Sequence, residues 1–203
     1  MLGLPFALTP GLERELRRAY AAPPRAYHNF EHVEEVMAHV ASVPRWEQPV
    51  AVALAVLFHD AVYEAGRPDN EARSAQLAAE IVPRELPEHV DALPRAEQLI
   101  LLTARHGRLL PHEVDPEAAL FLDCDMAILA AAPERYDAYE DAIAREYAAI
   151  PAELYRSGRT AFLRALSAKA RIYLSDYFHA RCDAAARSNL LRAQERLRQD
   201  PLS

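Results

Sequence analysis

The sequence is poor in cysteine and has no long apolar run. Its 203 residues include two cysteines, Cys124 and Cys182, so we expect neither a disulfide framework nor a zinc site built from cysteine pairs. Apolar runs such as residues 50–58 reach about half the length of a membrane-spanning helix, and the N-terminus lacks a basic stretch followed by a long apolar one. These absences predict a cytoplasmic protein without an export signal or a membrane segment.

Positive charge is also scarce. The formal net charge is −7, and Lys169 is the single lysine among 23 basic residues. An acidic chain lacks the broad cationic surface that binds extended nucleic acid or an anionic bilayer, so a small substrate is the expected partner. The planar fork of arginine suits phosphate and carboxylate groups. Genomic base composition is the simpler explanation of the arginine bias.

Glycine and alternating β-branched residues are rare, whereas helical periodicity punctuated by proline runs through the chain. This pattern predicts an all-α fold. We expect one domain over residues 1–203, with a core at about 20–130 and C-terminal helices at about 131–200 packed on it. Asn29 is the expected cap of the second helix. The third, at 49–58, is apolar on every side and should be buried. The other helices are expected at about 11–20, 70–82, 95–106, 117–130, 134–149, 159–178 and 183–199.

The end of the third helix is the most informative position, because its apolar run continues directly into His59 and Asp60. An imidazole and a carboxylate are costly to bury alone, so they should be paired or should coordinate a metal. In isolation, a capping or hydrogen-bonded role would be the simpler interpretation of such a pair. Further polar residues on buried helix faces favour the metal.

His32 shares the apolar face of the second helix, and Asp125 stands at helical spacing within an apolar face of a later helix. Asp123, on another side of that helix, is a second candidate, with a hydrogen-bonded carboxylate as its simpler role. Two histidines and two carboxylates form a mixed nitrogen and oxygen set. Such a set suits manganese, iron, magnesium or zinc with open coordination positions, which are typical of catalysis.

The order His32, then His59-Asp60, then Asp125, each on its own helix, resembles the HD-domain superfamily of metal-dependent phosphohydrolases. Residues 27–33, YHNFEHV, are also similar to the motif that opens the metal site of cyclic-nucleotide phosphodiesterases. The whole chain looks closest to the uncharacterised bacterial predicted HD phosphohydrolases. The blocks that carry this resemblance, within about residues 20–180, are YHNFEH, LFHDAVY, NEARSA, TARH, FLDCDMAIL, REY and GRTAFL.

The resemblance implies a single HD-domain helical bundle and assigns roles to particular residues. It implies a divalent metal ion held by His32, His59, Asp60 and Asp125. It also makes His28 the general acid, and we assign Asp60 the orientation or deprotonation of the attacking water. After Asp60 the chain lacks the histidine and glycine of the phosphodiesterases, so cyclic-nucleotide hydrolysis is not expected.

Other residues have open assignments. Glu71 and His106 could join a second metal site or support the first one, with Asp123 as a further possibility. Tyr63 should either line the pocket or pack over the end of the buried helix. Four arginines could bind a phosphate, and for each of them a solvated position or an intramolecular partner is the simpler role; these are Arg25, Arg105, Arg145 and Arg159.

The activity implied by the resemblance is cleavage of a phosphoester of a small molecule or nucleotide by metal-bound hydroxide. Two alternatives remain open: an HD-type di-iron oxygenase, which would need extra ligands such as Glu71 and His106, and a non-catalytic sensor that binds a nucleotide or a metal. The expected partner is a small phosphorylated substrate, and the expected assembly is a monomer or a homodimer.

Overall fold

The structure is a computed structural model that describes residues 3–199. All regular secondary structure in that range is helical, which confirms the all-α prediction. The α-helices are α1 (Pro10–Tyr20), α2 (Phe30–Ser42), α3 (Pro49–Phe58), α4 (Asn70–Glu85), α5 (Leu93–Thr103), α6 (Pro116–Asp125), α7 (Pro133–Glu146), α8 (Ala152–Ala168) and α9 (Asp176–Gln199). Short 3₁₀ segments lie at Pro87–Ala92, Pro111–Glu113 and Met126–Ala130. Within the described residues, every helix is too short or too polar to cross a membrane.

The chain divides into two compact units, Met1–Arg105 and His106–Ser203. The first contains α1 to α5, and the second contains α6 to α9. The grouping of all residues in one domain stays a prediction from the sequence.

Helix α3 is the centre of the first unit. It packs against α2, α4 and α5, and all residues from Ala51 to Phe58 are buried. A helix surrounded by others gains from apolar residues on every side, which explains the uniform composition of α3. Its last turn is held by the Tyr20 hydroxyl of α1, which donates to the carbonyl of Leu57 at 3.1 Å.

The loop between α3 and α4 is tied down by the first residues of α4. The buried side chain of Asn70 accepts from the backbone N–H of Glu64 at 3.0 Å and donates to its carbonyl at 2.9 Å. Ser74 makes the same two-way contact with Val62, through its hydroxyl, at 3.0 and 3.2 Å. Gly66 has a φ of 83°, the left-handed region where glycine is favoured. The residues directly after α3 are therefore held in a defined path.

In the second unit, buried carboxylates hold the segment between α8 and α9. Asp123 of α6 accepts from the backbone N–H groups of Leu174 and Ser175, both at 2.7 Å, and from the Ser175 hydroxyl at 2.6 Å. Asp183 of α9 accepts from the backbone N–H of Ile172 at 2.8 Å. Residues 169–175 are non-helical, and the backbone N–H groups of residues 172–175 donate to these two carboxylates.

These contacts explain the main error in the predicted helices. A helix over 159–178 followed by one over 183–199 is wrong, because α8 spans Ala152–Ala168 and α9 begins at Asp176. The local sequence across this break is compatible with a helix. The carboxylates that end α8 and start α9 come from distant positions, so helical periodicity alone does not reveal the break. The helix predicted to reach residue 130 also ends earlier, at Asp125, and continues as 3₁₀.

The buried position of α3 generates a stability prediction. Leu54→Ala, at a side chain that is 0% exposed, should lower the free energy of unfolding by about 3 kcal/mol, since it leaves a cavity in a closely packed helix contact. Leu101→Ala is the matched control because Leu101 of α5 is 48% exposed, and it should cost less than about 0.5 kcal/mol. Urea denaturation measures both values, and equal losses would contradict the central placement of α3.

Candidate metal centre

The C-terminal end of α3 carries a buried imidazole. His59 follows the helix, its backbone N–H donates to the carbonyl of Ala55 at 2.8 Å, and the residue is 1% exposed. Its ring Nδ1 lies 2.9 Å from the carbonyl oxygen of Val56. Because a carbonyl only accepts, Nδ1 carries the proton, and Nε2 of the neutral ring therefore has a lone pair.

Helix α2 carries the second imidazole. As predicted, Asn29 caps this helix, because its side chain accepts from the backbone N–H groups of Glu31 and His32 at 2.9 and 3.3 Å. This cap fixes the first turn, where His32 lies buried, with its Nε2 3.0 Å from Nε2 of His59. The two ring nitrogens therefore face each other.

Asp60 brings a carboxylate to the same point. Its Oδ2 lies 3.0 Å from Nε2 of His59 and 3.5 Å from Nε2 of His32. Burial by itself raises the pKa of the Asp60 carboxyl, but the nearby imidazoles of His59, His28 and His32 outweigh burial and hold that pKa well below its usual value. Asp60 is therefore ionised at neutral pH.

A proton or a cation among these three side chains would stabilise their close approach. The lone pair on Nε2 of His59 and the anionic Oδ2 of Asp60 are both acceptors, so their close approach is repulsive while both imidazoles are neutral. A proton on one ring relieves the repulsion, and so does a divalent cation bound to all three atoms. Ligand bonds of about 2.1 Å place neighbouring ligand atoms roughly 3 Å apart, which fits these separations. The two imidazoles could hold a metal ion.

Arg25 ties the approach to α2 to the turn after α3. Its guanidinium donates to the carbonyl oxygens of His28 at 2.8 Å, Asp60 at 2.6 Å and Ala61 at 2.9 Å. Of the roles open to Arg25, the structure shows the intramolecular one. The sequence gives no local sign of this contact, since its three acceptors are backbone groups up to 36 residues away.

His28 lies against an aromatic ring. The imidazole stacks on the Tyr63 ring, with centroids 4.1 Å apart and planes at 25°, and it contacts the ring of His32 edge-on at 5.9 Å. It also lies near enough to Asp60 to contribute to the lowered pKa of that carboxyl. His28 is therefore close to the imidazole and carboxylate cluster, as a general acid would have to be.

In the second unit, Asp125 and His106 form a pair. Nδ1 of His106 lies 2.9 Å from Oδ2 of Asp125, whose side chain is 8% exposed, and His106 is 28% exposed. An imidazole that holds a carboxylate in one orientation is a common support for a metal ligand. His106 therefore contacts Asp125 directly, and its part in a metal site stays a prediction.

The remaining predicted residues have different surroundings. Asp123 is engaged by the backbone at 174–175, as described above, and burial raises the pKa of its carboxyl to about 6. Glu71 is half-buried in the first turn of α4, and its side chain makes no hydrogen bond or ion pair within the described residues 3–199. Asp123 thus has the hydrogen-bonded role that was its simpler assignment.

The other arginines proposed from the sequence as phosphate ligands differ in burial and in their partners. Arg159 is buried and pairs with both carboxylate oxygens of Glu140, at 2.7 and 3.0 Å, and with the Tyr139 hydroxyl at 3.0 Å. Arg105 and Arg145 are exposed. Arg159 therefore has the intramolecular partner that was its simpler role.

No family model matches the chain, and no curated protein matches it. The chemistry of the site must therefore be argued from the residues.

The cluster generates a metal-binding prediction. His59→Ala should lose stoichiometric divalent metal, because it removes an imidazole whose lone pair is fixed toward the cluster by the Nδ1 contact. His112→Ala is the matched control, at an exposed histidine in the 3₁₀ segment Pro111–Glu113. Emission spectrometry of dialysed protein after loading with manganese or zinc measures the metal. Full metal content in His59→Ala would contradict this site.

The Arg25 contacts generate a separate prediction. Arg25→Lys should lower the free energy of unfolding by about 1–3 kcal/mol, since an ammonium cannot reproduce the fork that serves three carbonyls and leaves partly buried acceptors unpaired. Arg17→Lys is the control, because Arg17 makes an exposed pair with Glu13 and should change stability by less than about 0.5 kcal/mol. Urea denaturation measures both, and an unchanged Arg25→Lys protein would show that the carbonyl contacts contribute nothing.

Proposed function

We propose that this protein is a metal-dependent phosphohydrolase of the HD superfamily that cleaves a phosphoester of a small molecule or nucleotide. We place this reaction in the cytoplasm, with the protein as a monomer or homodimer. The observation that carries the proposal is the convergence of His32, His59 and Asp60 at the end of a buried helix. Their mixed nitrogen and oxygen donors suit a divalent ion with open coordination positions rather than a closed structural site.

Asp125 is the fourth proposed ligand. The resemblance of the sequence to HD phosphohydrolases assigns it, and its surroundings support the assignment. The Asp125 side chain is 8% exposed, and its Oδ2 lies 2.9 Å from Nδ1 of His106, so the pair matches a metal ligand with a supporting imidazole.

The bound metal would supply Lewis-acid polarisation of a phosphoryl oxygen and a lowered pKa of water. Asp60, which is ionised, would orient the attacking water and accept its proton. As the new bond from water oxygen to phosphorus forms, the bond from phosphorus to the leaving oxygen breaks. His28 would donate a proton to that leaving oxygen, so that the products are an alcohol and phosphate.

The substrate class follows from charge as well as from chemistry. A net charge of −7 disfavours a long polyanion, whereas a single phosphoryl group can be neutralised locally by the metal. The proposed substrate is therefore a small phosphorylated molecule or a nucleotide rather than extended nucleic acid.

The two alternatives make different demands. A di-iron oxygenase needs further ligands. The side chain of Glu71 makes no hydrogen bond or ion pair with the imidazole and carboxylate cluster in the part of the chain that is described. The contact of His106 with Asp125 is compatible with either chemistry. Oxygen consumption by the iron-loaded protein would favour the oxygenase, and tight nucleotide binding without turnover would favour a sensor.

Two substitutions separate metal binding from proton transfer. Asp60→Ala should lose metal and turnover together, because Asp60 is both ligand and base. His28→Ala should keep its metal while its turnover of phenyl phosphate falls about 100-fold or more, since it removes a general acid. Phosphate release with added manganese, measured beside metal content, checks both results. Metal loss in His28→Ala equal to that in Asp60→Ala would contradict the role of His28.

A further inference from the structure

The ring of Tyr63 lies against the imidazole of His28. The two rings are nearly parallel, at an interplanar angle of 25°, and their centroids are 4.1 Å apart. Tyr27 contacts the same imidazole from its edge, at 5.0 Å and 80°. A flat partner on one face and an edge contact from another side together restrict the plane in which the His28 ring can lie.

The backbone on both sides of this stack is held as well. Arg25 binds the carbonyl of His28 and the carbonyls of Asp60 and Ala61, and its guanidinium lies 5.7 Å from the centroid of the Tyr63 ring. The path of the chain just before Tyr63 is further set by the contacts of Ser74 with Val62. The stack therefore joins two backbone segments that are themselves held in place, so the fold sets the relative position of the two rings.

A general acid transfers its proton only when its nitrogen points at the departing oxygen, so ring orientation decides how well it works. His28 is half-buried, and rotation about its side-chain bonds would change the direction of its ring nitrogens. Tyr63 opposes that rotation with its ring face. The stack on His28 is made by the ring of Tyr63, so phenylalanine should be able to replace tyrosine in this role.

We propose that Tyr63 is a positioning residue, which holds the His28 imidazole by stacking in the orientation for protonating the leaving oxygen of the substrate. This inference rests on the proposed phosphohydrolase function and adds to it the residue on which the general acid depends. In the reaction, the proton moves from His28 to the oxygen that has just separated from phosphorus, while Tyr63 exchanges no proton or electron.

The test compares two substrates that differ in their need for an acid. Phenyl phosphate has a poor leaving group that requires protonation, whereas para-nitrophenyl phosphate releases a stable anion and requires little. In the full-length, manganese-loaded protein, Tyr63→Leu should lower kcat for phenyl phosphate about tenfold and kcat for para-nitrophenyl phosphate less than about twofold, with KM unchanged. Tyr63→Phe should retain most of the activity on both substrates.

His28→Ala provides the reference for this selectivity. Because Tyr63 is proposed to act through His28, the double variant His28→Ala with Tyr63→Leu should be no slower on phenyl phosphate than His28→Ala alone. Metal content equal to that of the wild type shows that the site is intact, and Tyr63→Met serves as a second variant without a ring if Tyr63→Leu does not fold.

Each remaining result counts against a particular claim. Two results would overturn the role of Tyr63 alone. One is a selective loss of kcat on phenyl phosphate in His28→Ala together with an equal loss on both substrates in Tyr63→Leu. The other is an additive loss of kcat in the double variant. Equal loss on both substrates in His28→Ala would overturn the general acid, and with it the role of Tyr63. No phosphate release from the wild type on either substrate would overturn the proposed function together with this inference.

Discussion

The close approach of two imidazoles and one carboxylate is the constraint on which the rest of the first unit depends. His32, His59 and Asp60 bring acceptor atoms within 3.0–3.5 Å of one another, an arrangement that is unfavourable unless a proton or a metal lies among them. The fold opposes relaxation of this cluster from several sides. Asn29 fixes the turn that carries His32, and burial of α3 fixes His59. The cluster is thus prepared in advance, which favours metal binding because little reorganisation is needed.

The turn after α3 shows how the same residues serve stability and chemistry. Arg25 donates to the carbonyls of Asp60 and Ala61 just after the helix and to the carbonyl of His28, so it ties the His28 backbone to this turn. Asn70 and Ser74 hold the chain that leads away from the turn. His28 and Asp60 therefore lie on backbone segments that are held by side-chain contacts, and the Tyr63 ring adds a stacking contact to His28.

Much of the first unit could be predicted from the sequence because its signals are local. The bounds of α3 follow from an uninterrupted apolar run after a proline, and the start of α2 follows from Asn29. The placement of His32 and His59 on buried faces follows from helical periodicity. The break before α9 could not be predicted, because Asp123 and Asp183 act on backbone groups across 10 residues or more. For the same reason, residue spacing does not reveal the backbone contacts of Arg25 or the stacking of Tyr63 on His28.

The most direct test of the proposed metal centre is electron spin echo modulation of the manganese-loaded protein, which detects imidazole nitrogens bound to the metal. Two coordinated imidazoles are expected, because Nε2 of His32 and Nε2 of His59 face the same point. Stoichiometric manganese with no coupling to imidazole nitrogen would contradict this account, since it would place the metal elsewhere in the protein.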